Sequence, residues 1–387
     1  MNQMSWTLLE PPSPPPLPAP LPVAVSFSGD RGEFFRLLRR GAGLELVTVG
    51  FYRFWLATDM RRHLWSDTQI DGDAAEYTGR AKELLIGFLF ALAILMPVYL
   101  AYFLAGLEAE RYQAFASFPL VAFFYVFGQF AIYRARRYRL TRTVWRGVRF
   151  WMSGSGWAYA GRATLWGLLT AVTLGLALPW REAALERYKM RHSWYGDLQG
   201  SFEGQGWEFF KRGWWLWLLA PVAIVVFPLA PFFYAAFKAV QWRWWLSGIR
   251  FGGVRLESTL RRGALVGLYW KVIGWFVLLS AAAGIYFAVC ASVIGSMNGA
   301  PSQASAFAPQ ALLNSIPLLV MSGIGYLVLA LALGVVTRLY LMRDLWVRVL
   351  ASTTVHDIEA AANVSSRGTP ASALGEGFAD GLDVAGF

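Results

Sequence analysis

Long apolar runs alternate with short polar and basic stretches along the whole chain. The runs lie near Leu84–Gly106, Phe115–Tyr133, Ala163–Trp180, Trp214–Phe237, Ala264–Gly295 and Ala311–Leu341. Each reaches or approaches the ~20 residues a helix needs to cross a bilayer. Another run, Leu44–Trp55, is too short to span as a straight helix. One pattern stands ahead of three apolar segments: aromatic-x-Gly-x-x-x-Glu, then two large apolar residues. Its copies run from Phe27 to Phe35, Tyr77 to Leu85 and Phe202 to Phe210. The pattern predicts the end of a short strand, a Gly turn, and a helix with Glu in its first turn. Carboxylate there complements the positive helix N-terminus, and Gly permits the turn.

Larger spacings recur as well. A shift of 125 carries Val47, Thr48, Gly50, Trp55, Arg62, Gly79 and Glu83 onto Val172, Thr173, Gly175, Trp180, Arg187, Gly204 and Glu208. A shift of 101 carries Tyr133, Arg142, Gly147, Arg149 and Phe150 onto Tyr234, Arg243, Gly248, Arg250 and Phe251. These shifts divide the chain into a proline-rich lead (1–22), a first half (23–162), a second half (163–263), a membrane hairpin (264–350) and a flexible tail (351–387). The second half is shorter by 24 residues, since 125 minus 101 is 24. That leaves two topologies for Trp207–Leu246. Either it enters and leaves as a compressed hairpin turned near Pro228–Pro231, or it crosses once and puts Arg181–Arg212 on the opposite side.

Composition fixes the class. Of 387 residues, 56% are hydrophobic and 15% charged, against about 25% charged in a typical soluble domain. Together with the runs, this predicts an all-α polytopic membrane protein of about six spanning helices. Short β-strands between the helices are expected to form a small sheet at the membrane face, outside the hydrocarbon. The net charge of +11 fits cytoplasmic loops facing anionic lipid rather than nucleic acid. Arg134–Arg162 contains no acidic residue and is expected in the cytoplasm. Cys290 is the sole cysteine, so one chain can form neither a disulfide framework nor a thiolate metal site.

The motifs Thr-Val-Gly-Phe-Tyr-Arg-Phe-Trp (48–55), Arg62-His63-Leu64-Trp65, Glu76-Tyr77-Thr78-Gly79 with Lys82–Leu85, and Arg142–Phe150 resemble the YjgN family. So does Tyr195-Gly196-Asp197 with Ser201–Gly204. The resemblance covers roughly 23–350. It implies a bacterial inner (cytoplasmic) membrane protein of uncharacterised role, and it supplies no catalytic or binding residues.

Three acids at helix entrances, Glu33, Glu83 and Glu208, could take up protons or cations, or serve the helix dipole. Arg134, Arg136, Arg137, Arg139, Arg142, Arg146 and Arg149 form a candidate lipid-facing basic cluster. No metal pair, P-loop, nucleophile elbow or dinucleotide fingerprint is present in the sequence, so neither enzyme activity nor a cofactor is expected. Two functions compete. One is transport of a small solute, suggested by duplication and Gly- or Pro-broken apolar segments. The other is a non-transporting scaffold that interacts with anionic membrane lipids.

Overall fold

The computed structural model describes residues 21–109, 117–225, 230–297 and 316–368. Most of the proline-rich lead, the Pro228-Leu229 part of the expected hairpin turn, and the tail beyond 368 lie outside the described residues. The expectation of an all-α protein with a small sheet is overturned by a closed ten-stranded antiparallel barrel.

The chain builds it in one recurring order. A five-residue strand leads into a helix, a second helix returns, and a short strand closes the passage. The first passage is β1 (Val23–Phe27), α1 (Arg31–Val47), α2 (Arg53–Ser66) and β2 (Thr68–Ile70). The second is β3 (Asp73–Tyr77), α3 (Ala81–Ala109), α4 (Ser117–Thr141) and β4 (Thr143–Trp145). The third is β5 (Val148–Met152), α5 (Gly156–Val172), α6 (Leu178–Arg191) and β6 (Ser193–Tyr195). The fourth is β7 (Leu198–Phe202), α7 (Gly206–Val225), α8 (Ala230–Gly248) and β8 (Ile249–Phe251). The fifth starts with β9 (Val254–Ser258), α9 (Val266–Met297) and α10 (Ile316–Thr337). It continues through a π-helical stretch, Arg338–Asp344, into α11 (Leu345–Ala351) and β10 (Thr353–His356). β10 then pairs with both β9 and β1 and closes the ring. Thr353–His356, placed in the tail by the sequence, is thus the closing strand.

Two-residue turns join consecutive passages: Asp71-Gly72, Arg146-Gly147, Gly196-Asp197 and Gly252-Gly253. Asp71, Gly72, Arg146 and Gly147 all have positive φ, as do Gly196 and Gly252. This is the backbone that matches the twist of a tight hairpin. All four turns therefore sit at one rim, and the described helix pairs all leave from the other. Both strands of the Arg181–Arg212 segment lie in the same barrel as the rest. Around this segment, α7 leaves from β7 and α8 returns to β8 at the same rim.

The barrel is filled. Val25, Trp145, Tyr195, Val254 and Val355 are buried inside with Val23, Ile70, Val148, Phe150, Leu198 and Phe251 around them. Ile358 and Ala361, from the turn after β10, belong to the same core. Strands of three to five residues fall well short of the ~9–11 of a transmembrane strand, so the barrel is a base and not a span. Among the described residues, three helical segments are long and apolar enough to cross a membrane: Ala81–Leu104, Val266–Val293 and Leu319–Ala351. The others expected from Phe115–Tyr133 and Trp214–Phe237 include residues outside the described set.

The aromatic-x-Gly pattern has a different cause from the one its sequence suggests. Gly29, Gly79 and Gly204 are not among the positive-φ residues. Instead the aromatic two positions earlier folds its ring over the glycine. A Cβ on Gly79 would lie 2.5 Å from the Tyr77 ring, and one on Gly204 2.5 Å from the Phe202 ring. The 101-residue shift is also corrected. β4 and β8 are 106 residues apart (143 to 249), as are β5 and β9 (148 to 254). Arg149 therefore corresponds to Arg255, and the length difference is 19 (125 minus 106) rather than 24.

Candidate functional site

The three motif glutamates share a place in the fold and little else. Each lies in the first turn of its helix. Glu33 is exposed, its amide capped by Asp30 at 2.8 Å and its carboxylate 3.9 Å from Arg36. Glu208 is exposed too. Glu83 is different. It accepts from Tyr138 Oη at 2.9 Å and pairs with the buried Arg142 at 3.0 Å, which ties the start of α3 to the end of α4.

The seven arginines of the basic cluster do not form one face. Arg134 lies 5.7 Å from the centroid of the Phe130 ring. Arg136 points across to α6, where it pairs with Glu186 at 3.3 Å, and to α8, where it covers the Trp245 ring. Arg137 and Arg139 are half-buried and engaged. Arg142 is held by Glu83. Arg149 donates to Thr141 O at 2.8 Å and Thr78 Oγ1 at 3.2 Å. Arg146, at the turn rim, pairs with Asp71 at 2.7 Å and Asp73 at 2.5 Å.

Arg136 belongs to a buried charged group between α4, α6 and α8. Glu186 also binds Lys189. Burial works to raise the Glu186 carboxyl, but Lys189 and Arg136 outweigh it and hold it below the ordinary value. Glu182, one turn away, is raised by burial.

A second constellation lies on the outer face of the barrel, where α7 and α8 leave it. Strand alternation puts Phe251 and Val254 inside, so Arg250 and Arg255 point out. The register sets Arg250 directly opposite Arg255, and Arg255 directly opposite His356. Like charges facing each other across strands are unfavourable on their own. Glu203 offsets the first at 3.1 Å, and Asp357 the second at 2.6 Å. Arg243 on α8 and Arg212 on α7 overhang this row. Neither makes an ion pair or hydrogen bond among the described residues. The four arginines, with His356, Ser247 and Ser258, line a cleft of about 310 Å³ whose one acidic wall residue is Glu257. Arg212 and Arg243 also border an adjoining slot of about 140 Å³ walled by Val240, Leu260 and Arg262. The result is a cationic cleft with an apolar annex.

The frame alone does not make this site. The corresponding place at the first passage, 181 residues earlier, is a cleft lined by Arg62, His63, Ser66, Glu76, Tyr77 and Thr78. Arg62, Ser66 and Glu76 there stand for Arg243, Ser247 and Glu257. Gln69 and Ala74 stand where the other cleft has Arg250 and Arg255, and Arg62 donates to Gly79 O at 3.0 Å. Sequence reading missed the cationic cleft because its residues come from α7, α8, β8, β9 and β10. The available signal was Gly-x-Arg in duplicate, at Gly248-Ile249-Arg250 and Gly253-Val254-Arg255. Among the described residues, no group of three or more His, Cys, Asp or Glu could hold a metal ion.

Residues 22–240, more than half of the chain, match a family model described as a bacterial protein of unknown function (DUF898). It is the same family that the motifs resemble. No curated protein and no solved structure matches the chain.

Proposed function

The chain belongs to the DUF898 family of bacterial proteins, and from that premise we propose that it is a multi-pass inner-membrane protein that holds an anionic phospholipid headgroup at its barrel. The observation that carries this is the convergence of Arg212 and Arg243, without partners among the described residues, on the Arg250–Arg255 row. Guanidinium forks match phosphate oxygens in geometry and charge. The apolar slot beside them, with Val240 and Leu260, suits the start of an acyl chain. The cleft also lies where α7 and α8 run from the barrel toward their apolar segments, which is headgroup level. The acid-free stretch Arg134–Arg162 runs through the barrel, and this supports a cytoplasmic barrel. We read the five passages as copies of one unit. Their support is the common element order and the 125-residue correspondence. No catalytic step is assigned.

The test is thermal unfolding of detergent-purified protein with short-chain phosphatidylglycerol, short-chain phosphatidylcholine or inorganic phosphate. The reading expects stabilisation by the anionic lipid, little by phosphatidylcholine, and loss of that selectivity in the R212Q/R243Q variant. Equal responses to both lipids, or an unchanged response in the variant, would refute it. Transport of a small solute remains the second reading. It is favoured by the buried Arg136–Glu186–Lys189 group between three helices, the type of site that ion pathways use. The filled barrel opposes a path along the barrel axis. Solute flux in proteoliposomes that disappears in E186Q would favour transport.

A further inference from the structure

We infer that the two short helix pairs, α1–α2 and α5–α6, are wedges that enter one leaflet of the bilayer without crossing it. Their tips combine two properties that water-exposed turns do not need together. The first is exposed apolar surface. At the α5–α6 tip, Val172 is 82% exposed and Leu174 92% exposed, with Leu176 beside them. At the α1–α2 tip, Val47 and Val49 are each 79% exposed, next to Phe51. The second is a backbone that satisfies its own amides. Thr173 N donates to Leu169 O, Leu174 N to Ala171 O, Gly175 N to Thr170 O at 2.7 Å, Leu176 N to Thr173 O and Leu178 N to Gly175 O. Thr173 Oγ1 takes the remaining amide, Ala177 N, at 3.1 Å while donating to Leu169 O. The same set recurs at Thr48–Arg53, with Thr48 Oγ1 accepting from Tyr52 N at 3.0 Å. Water satisfies such amides freely, so a turn in water has no need of this. In hydrocarbon an open amide is expensive, and turns are tolerated where their polar groups are paired.

Both tips reach this closure through an unusual backbone. Val49 and Leu174 have φ of 52° and 50°, and Gly50 and Gly175 follow at 87° and 89°. Left-handed φ at a β-branched residue such as Val49 is an outlier, and it is held by the Thr-x-Gly motif that the 125-residue shift exposed.

Depth follows from helix rise. The last charge on α5 is Arg162, whose guanidinium lies over the Tyr188 ring. The residues from Ala163 to the end of α5 at Val172 rise about 15 Å at 1.5 Å each, about half of a ~30 Å hydrocarbon core. The charges nearest the tip on α6, Arg181 and Glu182, are half-buried and paired with each other at 3.7 Å. On α1, Gly41–Val47 rise about 10 Å beyond Arg40. The charges nearer that tip are shielded. Glu45 is 3% exposed and pairs with Arg338 at 3.3 Å, and Arg53 stacks on Phe54 and Phe88. Both pairs leave the same barrel rim as the membrane-crossing segments, so the wedges point into the same bilayer. This corrects the reading of Ala163–Trp180 as a span.

The inference rests on the membrane reading, and the experiment separates the two. An environment-sensitive nitrobenzoxadiazole label is placed at L174C, L176C or V49C in a C290S background, in nanodiscs. L100C on α3 reports the bilayer and A74C on the barrel reports water. The wedge predicts at least twofold quenching of the tip labels by acyl-chain nitroxide lipids and weak quenching by iodide, as for L100C. Tip labels quenched by iodide like A74C would overturn the wedge. So would tip labels quenched by neither agent, which would mean a protein cover. If L100C also fails to respond to nitroxide lipids, the membrane reading itself fails. L176C keeps the test open if L174C does not fold.

Discussion

Replacing Gly204 by alanine tests why the aromatic-x-Gly pattern exists. The new Cβ would lie 2.5 Å from Phe202 Cζ and 3.1 Å from Trp244, where carbon contacts prefer about 3.5–4.0 Å. The Phe202 ring cannot retreat. A Cβ on Gly248 would also lie 2.5 Å from its Cε2, so the ring is packed between two glycines, with Trp244 edge-on at 5.0 Å. Overpacking of this kind destabilises by about 1–3 kcal/mol, and the pinned ring puts G204A toward the upper end. F202L alone should also destabilise, because it removes buried ring contacts. In the F202L background, however, the methyl added at position 204 meets no ring at position 202, and its penalty should fall below about 1 kcal/mol. The coupling between the two changes is then about 2 kcal/mol, within the range of contacting residues. The assay is thermal and denaturant unfolding of the four proteins of this cycle in detergent. Were backbone conformation the reason for glycine, the penalty would persist unchanged without the ring. That additive result, or a G204A protein as stable as the parent, would refute the ring-packing account.

Two further substitutions separate residues that the sequence groups together. E83Q should destabilise by about 1.5–3 kcal/mol, the scale of hydrogen bonds to charged groups, since Glu83 holds Tyr138 and Arg142. E33Q and E208Q, both at exposed positions, should change unfolding by no more than about 0.5 kcal/mol. Comparable losses in all three would contradict the assignment. The two carboxylates of α6, Glu186 and Glu182, give opposite pH dependences. The Glu186 pKa is lowered in the fold, so its contribution is present above the reference value of 4.5 and is lost as pH falls through the lower folded value. The Glu182 pKa is raised, so its ionisation opposes folding above that range, and acidification relieves the penalty. E186Q should therefore flatten the acid-side loss of stability, and E182Q should steepen it. Identical pH profiles for both variants and the parent would refute the linkage.

Local structure was legible where short-range chemistry determines it. The strand end, turn and acidic helix start were visible at Phe27–Glu33, Tyr77–Glu83 and Phe202–Glu208, and Asp71-Gly72 is a standard hairpin turn. Closure was not legible. Strands of three residues carry no alternation to detect, and β10 pairs with β1 across more than 300 residues of chain. The misplaced 101-residue shift has a specific cause. Gly248-Ile249-Arg250-Phe251 matches Gly147–Phe150 in letters, but the segment at the equivalent hairpin turn is Gly253-Val254-Arg255-Leu256. The arginine-rich stretch Arg134–Arg149 looked like one surface because charge was counted along the chain. Helical geometry sends Arg136 to α6 and Arg142 to α3. The cationic cleft needs residues from five elements and was beyond any contiguous motif.

A barrel on one side of the membrane requires every described helix pair to leave and return through the same rim. Single cysteines at Ala74 on β3, Ser201 on β7 and Glu359 after β10, all exposed positions, test this directly in a C290S background. The measurement is labelling by a membrane-impermeant maleimide in intact spheroplasts and in inverted vesicles. All three should react in inverted vesicles and stay unreactive in spheroplasts. Labelling of S201C from the opposite side to A74C would place Arg181–Arg212 across the membrane and contradict the closed barrel.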